Sequence, residues 1–144
     1  MQPLKVAFIK ANWHSEIVSQ AQSGFEQELE SRGTPYEIKT WDVPGAFEMP
    51  LLAQRLAQTG KFDAVVCAAL VVDGGIYRHD FVAQAVVSGL MQAQLATNVP
   101  IFSVSLTPHN FQPAPEFIDF YTEHFVKKGK EAARAVSQIH AVAL

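Results

Sequence analysis

An α/β fold is predicted, a four-stranded parallel sheet with helices on both faces. Three observations predict it. Short apolar runs alternate with longer amphipathic segments in the order β-α-β-α-β-α-β-α. The third run, Ala64 to Val72, is apolar throughout, as a central parallel strand covered on both faces requires. Right-handed crossovers between successive strands then place helices on both sides of one parallel sheet.

Taken in order, residues 5–10 read as a short buried strand and 11–14 as the loop after it. Ser15 is the expected N-cap of a helix whose apolar face is Ile17, Val18, Ala21, Phe25 and Leu29, with Gly33 as its C′ residue. Residues 36–41 alternate and read as an edge strand. Pro44-Gly45 turns the chain into a helix over 47–59. Its expected apolar face is Leu51, Leu52 and Leu56, with Pro50 in the first turn and Gly60 closing it. After the third strand comes a loop with Gly74 and Gly75. A helix capped near Asp80 then runs to Thr97, with Phe81, Val82, Ala85, Val86, Gly89 and Leu90 as its apolar face. Residues 99–106 read as the fourth strand and 107–115 as a proline-bearing loop. Phe117, Phe120, Tyr121 and Phe125 form an aromatic helical stripe punctuated by Gly129. A final alanine-rich helix spans 131–143.

The chain has 144 residues, 49% of them hydrophobic, which suits one domain with its own core. A formal charge of −3 with no Lys/Arg stripe disfavours nucleic acid and membrane surfaces as partners. The amino terminus carries no signal h-region, and no apolar run is long enough to span a bilayer, so a cytoplasmic protein is expected. Cys67 lies inside the apolar third run and reads as a core residue.

Parallel sheets of this kind bind ligands outside the carboxyl ends of their strands. Four loops open there: Asn12-Trp13-His14, Gly45-Ala46-Phe47-Glu48, Gly74 to Asp80, and Thr107-Pro108-His109-Asn110. Together they offer an aromatic ring, a carboxylate at a helix start, a glycine loop with uncovered amides and three histidines. A planar polar ring and an anion suit such a set. Plainer roles exist for each: Trp13 plugging the sheet edge, Glu48 meeting a helix N-terminus, the phenylalanine stripe packing against core or another subunit. The five histidines show no metal-ligand spacing. No GxSxG, GxGxxG or GxxxxGK[ST] pattern is present after a strand.

Val43-Pro44-Gly45-Ala46-Phe47-Glu48-Met49-Pro50 resembles the Pro-Gly-Ala-Phe/Tyr-Glu-(Ile/Met)-Pro motif of the lumazine synthases, enzymes of riboflavin biosynthesis. Lys61-Phe62-Asp63-Ala64 is similar to that family's Lys-Tyr-Asp-Ala segment. Asp73-Gly74-Gly75-Ile76-Tyr77-Arg78-His79-Asp80 resembles the family's second, bacterial type. The first type usually has Arg-Gly-Ala-Thr-Thr-His-Phe-Asp there. The resemblance extends over essentially the whole chain.

It implies a three-layer α/β/α sandwich, flavodoxin-like, and a transferase acting without metal or organic cofactor. The implied reaction condenses 5-amino-6-(D-ribitylamino)uracil with 3,4-dihydroxy-2-butanone 4-phosphate to 6,7-dimethyl-8-ribityllumazine, releasing phosphate and water. By the family's pattern Trp13 stacks on the pyrimidine. Ala46, Phe47 and Glu48 bind the ribityl chain and ring. The main chain of Leu70, Val71 and Val72 lines the pocket, and the amides of Gly75 and Ile76 hold phosphate. Ser103 comes from a neighbouring subunit of a pentamer, or of two pentamers face to face. Arg78 falls at the first type's catalytic histidine and His79 one place on. A guanidinium stays charged and suits departing phosphate, whereas an imidazole suits proton transfer. The phosphate-loop threonine is Ile76 here. No arginine stands around 117–120, and His124 is the nearest substitute, with Lys128 behind it. A non-catalytic flavin or lumazine carrier is the alternative implied by the same pocket. A flavin-mononucleotide protein would need a Ser/Thr-rich loop after the first strand, where Ala11-Asn12-Trp13-His14 stands.

Overall fold

The computed structural model describes residues 2–71, 79–106 and 114–142. Its elements are β1 (Leu4–Ala11), α1 (Ser15–Ser31), β2 (Tyr36–Val43), a 3-10 turn (Ala46–Glu48) running into α2 (Met49–Gln58), β3 (Ala64–Leu70), α3 (His79–Thr97), β4 (Ile101–Leu106) and α4 (Pro115–His140). The sheet order is β2-β1-β3-β4 with every pair parallel. This is the doubly wound order of flavodoxin-like sheets, in which the chain leaves β1 to one side and returns on the other. The predicted sheet and the edge position of β2 are both present.

Strand periodicity sorts the core into two layers. Val6 and Phe8 of β1 pack with Ile17, Phe25 and Leu29 of α1 and Phe125 and Val136 of α4. Ala7, Ile9 and Ala11 face the other way, onto Met49, Ala53 and Leu56 of α2 and Val86, Leu90 and Ala93 of α3. β3 is buried on both faces, which is why its sequence shows no alternation. Cys67 lies in the α2/α3 layer, and burial pushes its thiol pKa up. A thiol reacts as its thiolate, so native Cys67 should label with Ellman's reagent at pH 8 at least about a hundredfold more slowly than in urea. Equal rates would place it outside the core.

Several local expectations are corrected. Ser15 is the first helical residue rather than the cap. The N-cap of α1 is His14, whose left-handed backbone presents its carbonyl to the amides of Ile17 and Val18, each at 3.0 Å. The other end behaves as expected. Gly33 has φ +67°, its N–H donates to Glu30 and that of Thr34 to Leu29, a Schellman closure. In α2 Leu56 is buried and Leu52 packs onto the same core as expected, joined by Met49, Ala53 and Ala57, whereas Leu51 faces solvent. In α3 Phe81 and Ala85 also point outward, and the buried line is Val86, Leu90 and Ala93. Val99 and Pro100 precede β4. Pro100 lacks an N–H, and its carbonyl accepts from Val65 at 2.9 Å.

The largest correction is at the carboxyl end. Gly129 does not separate two helices, because α4 runs unbroken through it. Gly129 and Gly24 are where α4 and α1 cross. A Cβ on Gly129 would collide with the Ala21 carbonyl oxygen, and one on Gly24 with that of Val126. The pair lets two backbones touch beside the fully buried Phe25 and Phe125. The aromatic stripe is accordingly packing on its inner side, with Phe120 left exposed.

Candidate active site at the carboxyl edge of the sheet

Because all four strands are parallel, their carboxyl ends share one edge, and the central β1 sets the level. Ala11 is buried, and the Asn12 amide adds one more rung to β2 by donating to Val43 at 2.8 Å. The chain then leaves the sheet. Trp13 stands 51% exposed at that exit, so it does not plug the edge.

On the adjacent strand, Val43 is the last buried residue before Pro44 and Gly45. The Glu48 amide donates to the Gly45 carbonyl at 3.3 Å and closes the 3-10 turn. Ala46 packs onto the α2/α3 core, while Phe47 is 57% exposed. Glu48 occupies the N-cap position of α2, where a negative charge meets the positive end of the helix dipole. Its carboxylate is exposed and makes no capping hydrogen bond. Leu70 ends β3 and Val71 follows it, both buried, so this part of the wall is apolar. Val72, Gly75, Ile76 and Arg78 lie outside the described residues. His79 opens α3, with its side chain outside them. Trp13, Ala46 to Glu48, Leu70 and Val71 are thus brought together at the ends of three neighbouring strands.

Ser103 and His124 are placed differently. Ser103 pairs with Cys67 in register, three residues short of the β3 end, which is about 10 Å back along the strand. It lies on the open edge strand, exposed, with its hydroxyl 2.9 Å from that of Ser105. His124 is half-buried on α4 and stacks on Phe120 with ring centroids 5.5 Å apart and planes at 16°. Among the described residues no three His, Cys, Asp or Glu side chains converge where they could hold a metal.

Sequence reading missed an apolar surface. Val87, Met91 and Leu95 of α3 recur every four residues and are 52%, 52% and 71% exposed. Leu95 continues into a groove of about 700 Å³ at the amino end of β4, lined also by Val99, Pro100, Phe102, Ile139 and Val142. That end is opposite the candidate site. The available signal was that α3 carries more apolar residues than one packed face requires.

A profile of the 6,7-dimethyl-8-ribityllumazine synthases matches residues 3–143. A 6,7-dimethyl-8-ribityllumazine synthase of Rhodococcus erythropolis is 56% identical over 137 residues, 94% of this chain and 88% of that protein. A 6,7-dimethyl-8-ribityllumazine synthase 2 of Pseudomonas syringae pv. tomato is 55% identical over 90% of this chain and 77% of its own length. One of the same name from Bradyrhizobium diazoefficiens is 48% identical over 93% and 81% respectively.

Proposed function

The chain belongs to the 6,7-dimethyl-8-ribityllumazine synthase family, enzymes of riboflavin biosynthesis, and from that premise we propose how its residues divide the reaction. The two substrates are 5-amino-6-(D-ribitylamino)uracil and 3,4-dihydroxy-2-butanone 4-phosphate. An amine attacks the ketone, an imine forms, phosphate leaves and the ring closes. Holding both substrates in place removes much of the barrier, and proton transfer supplies a smaller share.

The observation that carries this reading is that Trp13 and Glu48 are both exposed just past the carboxyl ends of the paired strands β1 and β2. Trp13 stacks on the pyrimidine and Glu48 accepts from ribityl hydroxyls, helped by Ala46 and Phe47. Leu70, Val71 and Val72 offer main-chain polar groups to the ring edge. The amides of Gly75 and Ile76 hold the phosphate, Arg78 balances its charge as it departs, and His79 moves protons. Purified protein supplied with both substrates should form a lumazine. Ligand binding without turnover would instead support the carrier reading, which family membership disfavours.

Trp13→Ala should weaken a ribitylaminopyrimidine analogue by about 1–3 kcal/mol in titration calorimetry, as base stacking on aromatics does. Unchanged affinity in a folded variant would remove the stacking role.

We further propose a homo-oligomer, a pentamer or two pentamers face to face, acting in the cytoplasm on small molecules. No helix among the described residues is long and apolar enough to cross a membrane. The α3 stripe and the groove beside β4 supply the apolar surface for assembly. Ser103 and His124 would serve the neighbour's site. The position of Ser103, on the open flank well behind its own carboxyl edge, supports that division.

A further inference from the structure

Four residues among those described have positive φ, and three of them close helices: Gly33 after α1, Gly60 after α2 and Asn98 after α3. The fourth, His14, is the only one at a helix start, with φ 56° and ψ 49°. It also sits at the carboxyl edge of the sheet, next to Trp13. Left-handed backbone disfavours any residue with a Cβ, less for Asn, Asp and His than for β-branched side chains.

The geometry around it is tight. The last rung to β2 is made by the Asn12 amide and α1 begins at Ser15. Within Trp13 and His14 the chain must turn from the direction of β1 into that of α1. The left-handed residue makes that reversal. It also points the His14 carbonyl into the helix, where it receives the Ile17 and Val18 amides at 3.0 Å. α1 is anchored through the buried Ile17 and Val18, and β1 through the buried Ala11. With both sides anchored, the conformation of residue 14 decides where the indole of residue 13 goes. Here the indole is half exposed at the edge rather than folded onto the core.

We infer that His14 is a positioning residue: its left-handed backbone holds the Trp13 indole over the carboxyl edge in the orientation the heterocycle meets. The inference rests on the stacking role proposed for Trp13, and its test separates the two. His14→Asn keeps a side chain that accepts the left-handed region. His14→Val introduces one that resists it. Both are made in a Trp41→Phe background, so that Trp13 is the chain's single tryptophan.

Time-resolved fluorescence anisotropy of the ligand-free protein reads indole mobility directly. Titration with a ribitylaminopyrimidine analogue reads affinity. The expected result is parental anisotropy and affinity within about twofold for His14→Asn. For His14→Val a faster, larger-amplitude indole motion and about tenfold weaker binding are expected. A KM effect confined to the pyrimidine substrate should accompany it, with the KM for the butanone phosphate unchanged. Parental anisotropy in a folded His14→Val variant would overturn the inference. So would an equal loss in His14→Asn, which would assign the effect to the imidazole itself. If anisotropy changes as expected while affinity does not, positioning stands and the stacking role of Trp13 fails. Trp13→Ala would then bind normally as well.

Discussion

Gly129→Ala should destabilise the fold by about 3 kcal/mol, although alanine is the better helix former by about 1 kcal/mol. Gly129 lies within α4, so the substitution meets no backbone penalty. The obstacle is across the crossing. The new Cβ would collide with the Ala21 carbonyl oxygen and come within 2.8 Å of its carbon. These are main-chain atoms of α1 and cannot rotate aside, so the two helices must part. Parting them loosens Phe25 and Phe125, both fully buried, and the edge-to-face contact of Phe25 with Phe8, 5.7 Å between centroids. Gly24→Ala meets the Val126 carbonyl from the other side and should behave alike. The double variant should lose less than the sum, because helices already parted accommodate the second methyl. Urea unfolding at one fixed protein concentration measures this, with the exposed Lys127→Ala as a control expected within about 0.5 kcal/mol. A Gly129→Ala variant as stable as the parent would mean that the helices do not approach this closely.

The same glycine shows where the sequence stops being legible. Glycine ends helices and lets helices touch, and at Gly129 both uses leave the same letter. Gly33 was readable because it follows a complete apolar face and precedes a strand. The edge place of β2 and the central place of β3 were readable because β2 alternates while β3 is uniformly apolar. Parallel order then forces Trp13 and Glu48 to one edge, so that part of the site followed from topology. In α2 Leu52 and Leu56 were readable and Leu51 was not, because adjacent leucines point to different sides of a helix and only the side shared with Met49 and Ala53 meets the core. Nor was the conformation of His14, since an amino-acid letter does not carry its φ. The outward turn of Phe81, Val87, Met91 and Leu95 was hidden because an apolar helix read alone looks buried on every side.

Met91→Glu with Leu95→Glu should abolish assembly and, with it, nearly all activity. The two side chains are 52% and 71% exposed in the single chain, so charges there leave its core untouched. Surface changes of this kind alter folding by about 0.5 kcal/mol or less. In the proposed assembly the same positions would become buried. A carboxylate taken out of water without a partner carries a penalty of several kcal/mol, and cyclic symmetry repeats it at every interface. Light scattering at micromolar concentration should therefore fall from about five or ten chain masses to one. Circular dichroism should keep the parental helix content. Lumazine formation should drop by at least about a hundredfold, because even small misplacement of a reacting group has an effect of that size. Here Ser103 and His124 would be absent from the neighbour's site altogether. Mixing this variant with an assembly-competent one bearing Trp13→Ala should not restore activity, since the two cannot meet. A folded variant that keeps the full mass would move the interface off α3. A variant that dissociates to an active monomer would end the shared-site reading, because neither Ser103 nor His124 could then act in trans.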